Sequence, residues 1–294
     1  MAAARSVPVQ VGGRTIAVTN LDRVMYPDDG TTKAEVLQYL IAVAEPLGRQ
    51  IRDRILTRKR WPHGVGAESF FEKNLPAGAP DWIATVEAGR DPIRYPVMRS
   101  AAPQAELAWF AQLGVLEFHV PQWRADPEGT AAPPDRLVID LDPGPPAGLP
   151  ECREVALAVH DVLAGLSLTA QPVLSGSKGM QLYVPLPSDG PMRLGMDADA
   201  MSQFARSLAV SLSEMMPDLV VSRMTKSLRP GRVLLDWSQN NGSKTTIAPY
   251  SLRGTPRSHV AAPVTWAEVE AGDLRQLTAA DVLARLAEFG DPLG

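Results

Sequence analysis

The sequence predicts an α/β (α+β) fold of mixed, largely antiparallel central sheets covered by helices. Short apolar or alternating runs bounded by glycine and proline recur along the chain. Longer segments place apolar residues at helical spacing. Turns of hairpin length, rather than helices, separate several of the strand-like runs. With 294 residues, 45% hydrophobic and 21% charged, the chain can bury a core without disulfide or metal staples.

Residues 7–18 alternate on either side of Gly12-Gly13 and read as a hairpin. A helix begins near 32, where Thr32 and Glu35 have the spacing of a capping box. Val36, Leu37, Leu40, Val43 and Ala44 lie on one face until Pro46 weakens the helix. The stretch 62–104 is rich in proline and glycine but keeps strand-like pieces at 69–72 and 93–98. A short helix over 104–113 leads into the strand 116–120, and the polar, proline-rich insert 125–135 reads as a surface loop. RLVIDLDPG (136–144) is a buried strand ended by Pro-Gly, followed by a helix over 151–165. Strands at 172–175 and 181–186 flank the turn 176–179. The helix at 197–215 places Met201, Phe204, Ala205, Leu208, Leu212 and Met215 on one face as core filler. Strands at 218–222 and 232–237 and short helices at 265–270 and 278–289 complete the chain. This order predicts a single domain over 1–294, with a basic part of about 1–125, a core of about 135–257 and a helical tail over 258–294.

Composition excludes several classes of function. Cys152 is the only cysteine, so no intramolecular disulfide forms and a reducing cytoplasm is the expected home. The N-terminal MAAARSVPVQVGG lacks an apolar leader, and no apolar run approaches the ~18 residues of a membrane span. The net charge of −4 argues against a nucleic-acid partner until its distribution is considered. Residues 49–60 carry Arg49, Arg52, Arg54, Arg58, Lys59 and Arg60 against Asp53. Residues 223–257 carry seven bases against Asp236. Such runs form either a phosphate-binding patch or ordinary solvated faces.

Asp140-Leu141-Asp142 is the strongest chemical signal. Alternation along a strand puts both carboxylates on the face of Val138, while Leu137, Ile139 and Leu141 pack on the other. Two acids about 7 Å apart along a strand repel one another unless a cation lies between them. Oxygen donors of this kind suit Mg²⁺ or Mn²⁺. The same D-x-D also occurs in phosphatases, sugar transferases and plain strand ends. Asp236, closing the apolar run RVLLDW, supplies a third acid; its alternative is an ion pair with Arg229 or Arg232. Three carboxylates from two strands could hold two ions ~3.5–4 Å apart, the arrangement used in phosphoryl transfer.

Ser175-Gly176-Ser177-Lys178-Gly179 offers backbone N–H groups, hydroxyls and a cation to an anion, although its spacing is not that of a Walker loop. Asn241-Gly242-Ser243-Lys244-Thr245 is a second such cluster. His119 lies inside an apolar strand, either as a satisfied core residue or facing a site; His63, His160 and His259 read as loop or solvated residues. Phe70 and Phe71, beside Lys73 and the basic run, either stack on bases or fill the core.

As a set, these residues resemble the polymerase domain of bacterial ligase D, within the archaeo-eukaryotic primase superfamily. The resemblance runs from Thr19-Asn20 to about Trp266. It is carried by TNLDRVMYP (19–27), TRKRWPHG (57–64), FFEK (70–73), EFHVPQW (117–123), DLDPG (140–144), SGSKG (175–179), MTKSLR (224–229) and LLDWSQNNGSKTTIAPYSLRG (234–254). It implies a primase-like fold with Asp140, Asp142 and Asp236 as catalytic ligands of two divalent ions, Mn²⁺ or Mg²⁺. His119, Ser175, Lys178 and Arg253 would line the pocket for the sugar and triphosphate. Phe70 and Phe71 would stack on the nucleotide or template base. Lys33, Lys59 and Arg23 would bind the 5′-phosphate at the downstream edge of a gap, with Arg23 standing where a lysine is common. After SGSKG the chain reads Met180-Gln181 where relatives commonly have a small apolar residue and histidine, so no role passes to a second histidine.

The resemblance implies template-dependent addition of NTPs or dNTPs to a primer 3′-hydroxyl, with ribonucleotides and Mn²⁺ preferred. The expected DNA partner is a gapped or broken duplex with a 5′-phosphate. No K-x-D-G adenylation motif is present, so a separate ATP-dependent DNA ligase, with Ku, is the expected partner of a monomer at the bacterial nucleoid. The competing reading is a non-catalytic DNA-end module that recognises 5′-phosphates and recruits a ligase.

Overall fold

The computed structural model describes residues 6–88, 93–186 and 196–294; the extreme N-terminus read above for a leader lies outside them. β1 (Ser6–Val11) and β2 (Arg14–Thr19) form the expected hairpin, with Gly12 and Gly13 both at positive φ. α1 (Lys33–Ala42) starts on the expected capping box, Thr32 and Glu35 each bonding the other's backbone N–H. The single helix expected past residue 42 is two. α1 ends at Val43, and α2 (Ala44–Ile51) begins at once with Pro46 in its first turn, where a missing N–H costs nothing.

β3 (Thr57–Arg60) is a strand hidden in the basic run, and β4 (Phe70–Glu72) pairs with it. β5 (Thr85–Ala88) and β6 (Ile93–Pro96) form a separate hairpin. α3 (Gln104–Gln112) leads into β7 (Val115–Val120) and, beyond the insert, β8 (Arg136–Pro143). α4 (Leu149–Gly165) is followed by β9 (Gln171–Leu174), β10 (Met180–Pro185) and α5 (Ala198–Met215). The last elements are β11 (Val220–Val221), β12 (Val233–Leu235), β13 (Thr246–Ile247), β14 (Ala262–Pro263), α6 (Trp266–Ala271) and α7 (Ala279–Phe289).

Two sheets carry the architecture. One has the order β11-β12-β8-β10-β9-β14, the other β13-β7-β3-β4. All named pairings are antiparallel except β11–β12, as the hairpin-length turns predicted. β8 is buried on both faces. Leu137, Ile139 and Leu141 join the main core with Val155, Val159 and Leu163 of α4; Val138 packs with Val173, Tyr183 and Ile247 on the other side. Each fully buried aliphatic side chain contributes roughly 1.5–3 kcal/mol over exposure, which fixes the strand's register and with it the acids at its end.

Three expectations change. Met215 is 64% exposed, because the last turn of α5 frays past the core that Met201, Ala205 and Leu212 fill. Asp236 does not finish the strand; it lies one residue beyond β12 and caps a short 3₁₀ turn over 237–240. His160 is not simply solvated: its ring stacks on Trp266 at 4.0 Å.

Candidate active site

Antiparallel register places Gln181 opposite Asp140 and Leu234 opposite Asp142. Asp236 follows directly, its backbone N–H donating to the Asp140 carbonyl at 2.9 Å. One carboxylate oxygen from each of Asp140, Asp142 and Asp236 therefore lies within 4.8 Å of the others. Neither arginine pairing weighed for Asp236 occurs. Among the described residues none of the three acids has a lysine or arginine within ion-pair distance.

Neutral donors hold these acids instead. Asp236 accepts from the Ser238 N–H (3.0 Å) and hydroxyl (2.5 Å) and from Gln239 Nε2 (3.0 Å). Asp140 accepts from Gln181 Nε2 at 3.0 Å. The Tyr183 hydroxyl lies 3.1 Å from Gln181 Oε1 and 2.6 Å from the Ile247 carbonyl oxygen, which fixes that amide. Burial first, then the neighbouring acids, push both Asp140 and Asp142 above the usual carboxylate range. Converging hard-oxygen donors with no cation among them fit a divalent ion of the Mg²⁺ or Mn²⁺ type.

Asp140 and Asp142 open into a cavity of about 240 Å³ that His119, Ser175, Lys178 and Arg253 also line, so six of the candidate residues share one space, with Asp236 beside the two acids rather than in its wall. Thr245, Thr246 and Gln239 complete its wall. His119 does not sit sealed in the core. It shares a face of β7 with Glu117, and its Nε2 lies 2.8 Å from Glu117 Oε2. Glu117 Oε1 accepts the Gly254 N–H at 2.9 Å and lies 3.6 Å from Arg253 Nε. Burial alone would raise Glu117, but the His119 hydrogen bond and Arg253 overcome it and hold the carboxyl at about 2. Glu117 thus fixes two pocket residues at once. Sequence reasoning passed it over, although an acid two places before a histidine in an apolar strand is a legible signal.

The SGSKG turn differs from the expected anion nest. Ser175 Oγ accepts the Ser177 and Gly179 N–H groups, both at 3.2 Å, and Gln276 Oε1 accepts the Gly176 N–H at 2.7 Å. Three backbone donors are therefore used within the protein, and Lys178 carries the turn's charge into the cavity. Glycine is required twice here. Gly176 has φ +68°, and a Cβ on Gly179 would stand 2.0 Å from the Leu141 carbonyl oxygen. Gln276, from the segment read as a helical tail, clasps the turn through Gly176 and Gly179. Nothing in the sequence marks that contact across a hundred residues.

Phe70 and Phe71 are 45% and 60% exposed, which removes the core reading. Phe71 meets His119 edge-on at 5.4 Å, with the Lys59 ammonium 5.3 Å from its ring centroid, and Arg60 lies over Phe70 at 5.1 Å. Lys59 also lies over Trp61 at 4.7 Å. Lys33 is not a free surface charge. It is 6% exposed, its Nζ donating to the Thr19 carbonyl (2.9 Å) and Gln112 Oε1 (2.7 Å). Burial, then neighbouring Arg23, lowers it to about 8. Arg23 itself donates to the Pro62 carbonyl.

The run 49–60 is only partly a basic surface. Arg54 and Arg58 point inward, Arg54 bonded to Asp135 and Arg58 beside Glu72. The insert holding Asp135 is correspondingly not all surface loop: that carboxylate also accepts from Arg124 at 2.6 Å.

The family model for the LigD primase-polymerase domain matches residues 32–293. The multifunctional non-homologous end joining DNA repair protein LigD of Mycobacterium tuberculosis (strain ATCC 25618 / H37Rv) is 49% identical over 285 residues, 95% of this chain and 36% of that protein. The bifunctional non-homologous end joining protein LigD of Bacillus subtilis (strain 168) is 32% identical over 275 residues, 93% of this chain and 43% of that protein. The chain thus spans well under half the length of these relatives. The solved polymerase domain from Mycobacterium tuberculosis ligase D in complex with DNA superposes with a TM-score of 0.88 at 48% identity, covering 95% of this chain and 96% of that one.

Proposed function

Because the chain belongs to the LigD primase-polymerase domain family, we propose that it is a template-dependent nucleotidyltransferase that fills short, 5′-phosphorylated gaps in DNA. The observation that carries this reading is the convergence of three carboxylates without an ion-pair partner, two of which, Asp140 and Asp142, line a cavity with His119, Ser175, Lys178 and Arg253. A DNA-end module without catalysis is disfavoured by the same acids, which repel phosphates unless a cation offsets them.

Asp140, Asp142 and Asp236 would hold Mn²⁺ or Mg²⁺. Bound there, divalent cations lower the pKa of the attacking hydroxyl and neutralise the developing charge on the triphosphate. The chain's own residues supply the rest. Lys178 and Arg253 take the triphosphate, while Ser175, from the turn after β9, and His119, from β7 of the other sheet, meet the sugar and phosphate oxygens. Gln181 keeps Asp140 aimed into the cavity, while Ser238 and Gln239 fix Asp236. The primer 3′-oxygen bonds to the α-phosphorus as the bond to the β-phosphate oxygen breaks, and pyrophosphate carries away the leaving electron pair. Phe70 and Phe71, exposed beside the cavity mouth, stack on nucleotide or template base.

Lys59 serves the 5′-phosphate with Arg23 and Lys33. Lys33, lowered to about 8, gains protonation when a phosphate approaches it. The names of the relatives support DNA repair by end joining, and this reading takes a DNA ligase activity and Ku as partners and the bacterial cytoplasm as the compartment.

Primer extension on a gapped, 5′-phosphorylated duplex with Mn²⁺ and NTPs tests this. Asp140→Ala or Asp142→Ala should lower nucleotide addition by on the order of 10³-fold or more while gap binding in EDTA persists. Undiminished extension by either variant rejects the assignment.

A further inference from the structure

Opposite its carboxylate end, β8 begins at Arg136, about 13 Å from Asp140 at ~3.3 Å per residue. There Arg49, Arg54, Arg124 and Arg136 line a separate cavity of about 250 Å³, with Asp135 its one acidic side chain and Leu293 and Gly294, the last two residues, also in its wall. Asp135 is already shared, its oxygens lying 2.5 Å from Arg54 Nη2 and 2.6 Å from Arg124 Nε. Arg49 is engaged by Glu45 and Asp291.

Arg136 has no such partner. It is 6% exposed, and among the described residues no carboxylate lies within ion-pair distance of it. Its polar contacts are Gln122 Oε1 at 2.7 Å and the Gln50 carbonyl and side-chain oxygens at 3.4 Å, with the Tyr183 ring 5.1 Å below the guanidinium. Arg136 Nη2, Arg54 Nε and Arg49 Nε are all shielded from solvent without a hydrogen-bond partner. A buried guanidinium with one N–H unmet and no counter-charge is costly, and a native fold normally supplies that charge. The cavity far exceeds the ~10–15 Å³ that one water needs. Planar guanidinium forks match the oxygens of a phosphate, and Arg124 uses only Nε and Nη1 within the protein, leaving Nη2 for a ligand.

We propose that this arginine cavity is a second phosphate-binding site, which takes one phosphate group between Arg124 and Arg136, apart from the carboxylate pocket. The phosphate comes either from a free ion, as inorganic phosphate or pyrophosphate, or from the backbone of bound DNA; the recognising chemistry is the same.

Isothermal titration with inorganic phosphate, in EDTA and at constant ionic strength set by chloride, tests it. Wild-type protein should bind. So should Lys178→Ala and Lys59→Ala, which remove charge from the carboxylate pocket and from the end-binding face. Arg124→Ala should bind at least tenfold more weakly; its side chain is 39% exposed, so the substitution leaves the core intact. Arg136→Gln should show the same loss, and if that variant does not fold, Arg124→Ala decides. No binding by wild type, or loss in Lys178→Ala with retention in Arg124→Ala, overturns the proposal. A duplex with 5′-hydroxyl ends that displaces phosphate from wild type identifies the DNA backbone as the source. Failure to displace it identifies the free ion.

Discussion

The two ends of β8 carry opposite imbalances of charge. At one, Asp140 and Asp142 meet Asp236, with neutral amides and a hydroxyl as the partners of Asp140 and Asp236. At the other, Arg49, Arg54, Arg124 and Arg136 line a cavity whose one acidic side chain is Asp135. The strand between them is apolar on both faces, so neither cluster neutralises the other. Asp140 and Asp142 are raised because they are buried beside like charge, whereas Asp135 is lowered overall because Arg54 and Arg124 outweigh its burial. A carboxylate that folding has satisfied and one that folding has left for a ligand are thus distinguished by the sign of the shift.

Removing an acid should accordingly have opposite effects at the two ends. The largest change is expected for Asp135→Asn, which strips the shared partner from Arg54 and Arg124. Denaturant unfolding should show a loss of about 2–3 kcal/mol, below the fully buried case because Arg124 is partly solvated. Asp135 is held low, so its contribution is present above the ordinary carboxylate range and fades as pH falls through its folded value. An Asp135→Asn protein as stable as wild type would break the contrast.

Glu117 provides a middle case, a buried acid satisfied by protein groups but facing the nucleotide pocket. Glu117→Gln should raise the nucleotide KM about tenfold, roughly 1.4 kcal/mol, with a smaller change in kcat, because it loosens His119 and Arg253 rather than the acids. Steady-state incorporation read at varied nucleotide checks this. A loss confined to kcat would place Glu117 in the chemical step instead.

The smallest effect is expected at the carboxylate end in the absence of metal. Asp142→Asn should stabilise the metal-free protein by about 1 kcal/mol, since it removes a repelled charge. Because the folded pKa of Asp142 is raised, the wild-type penalty is absent below the ordinary carboxylate value, grows as pH rises from there towards the folded value and is complete above it. Thermal unfolding in EDTA at pH 4 and pH 8 measures the gap. A destabilised Asp142→Asn protein at pH 8 would mean that the protein itself already satisfies this acid.

Much of this was legible in the residues. Alternation along RLVIDLDPG put Asp140 and Asp142 on one face, and the capping box at Thr32 set the start of α1, because both depend on neighbours a few positions away. Charge counting was less reliable. The run 49–60 reads as one basic surface, yet Arg54 and Arg58 are buried against Asp135 and Glu72, acids that the count along the segment could not include. Lys33, which the resemblance assigns to the 5′-phosphate, is held by Thr19 and Gln112 rather than standing on an open face, a placement that the sequence did not indicate. The strand β3 was missed because its inward-facing residues are arginines rather than aliphatics.

By itself the sequence determined the periodicities, the caps and the identity of the acids, since these follow from backbone geometry and local spacing. Tertiary structure decided which charges are neutralised. Asp236 beside Asp140, Glu117 against Arg253, Gln276 on the SGSKG turn and Arg136 without a carboxylate are all matters of distance between segments far apart in the chain. Electrostatic energy depends on that distance and on burial, and neither is written in the order of residues.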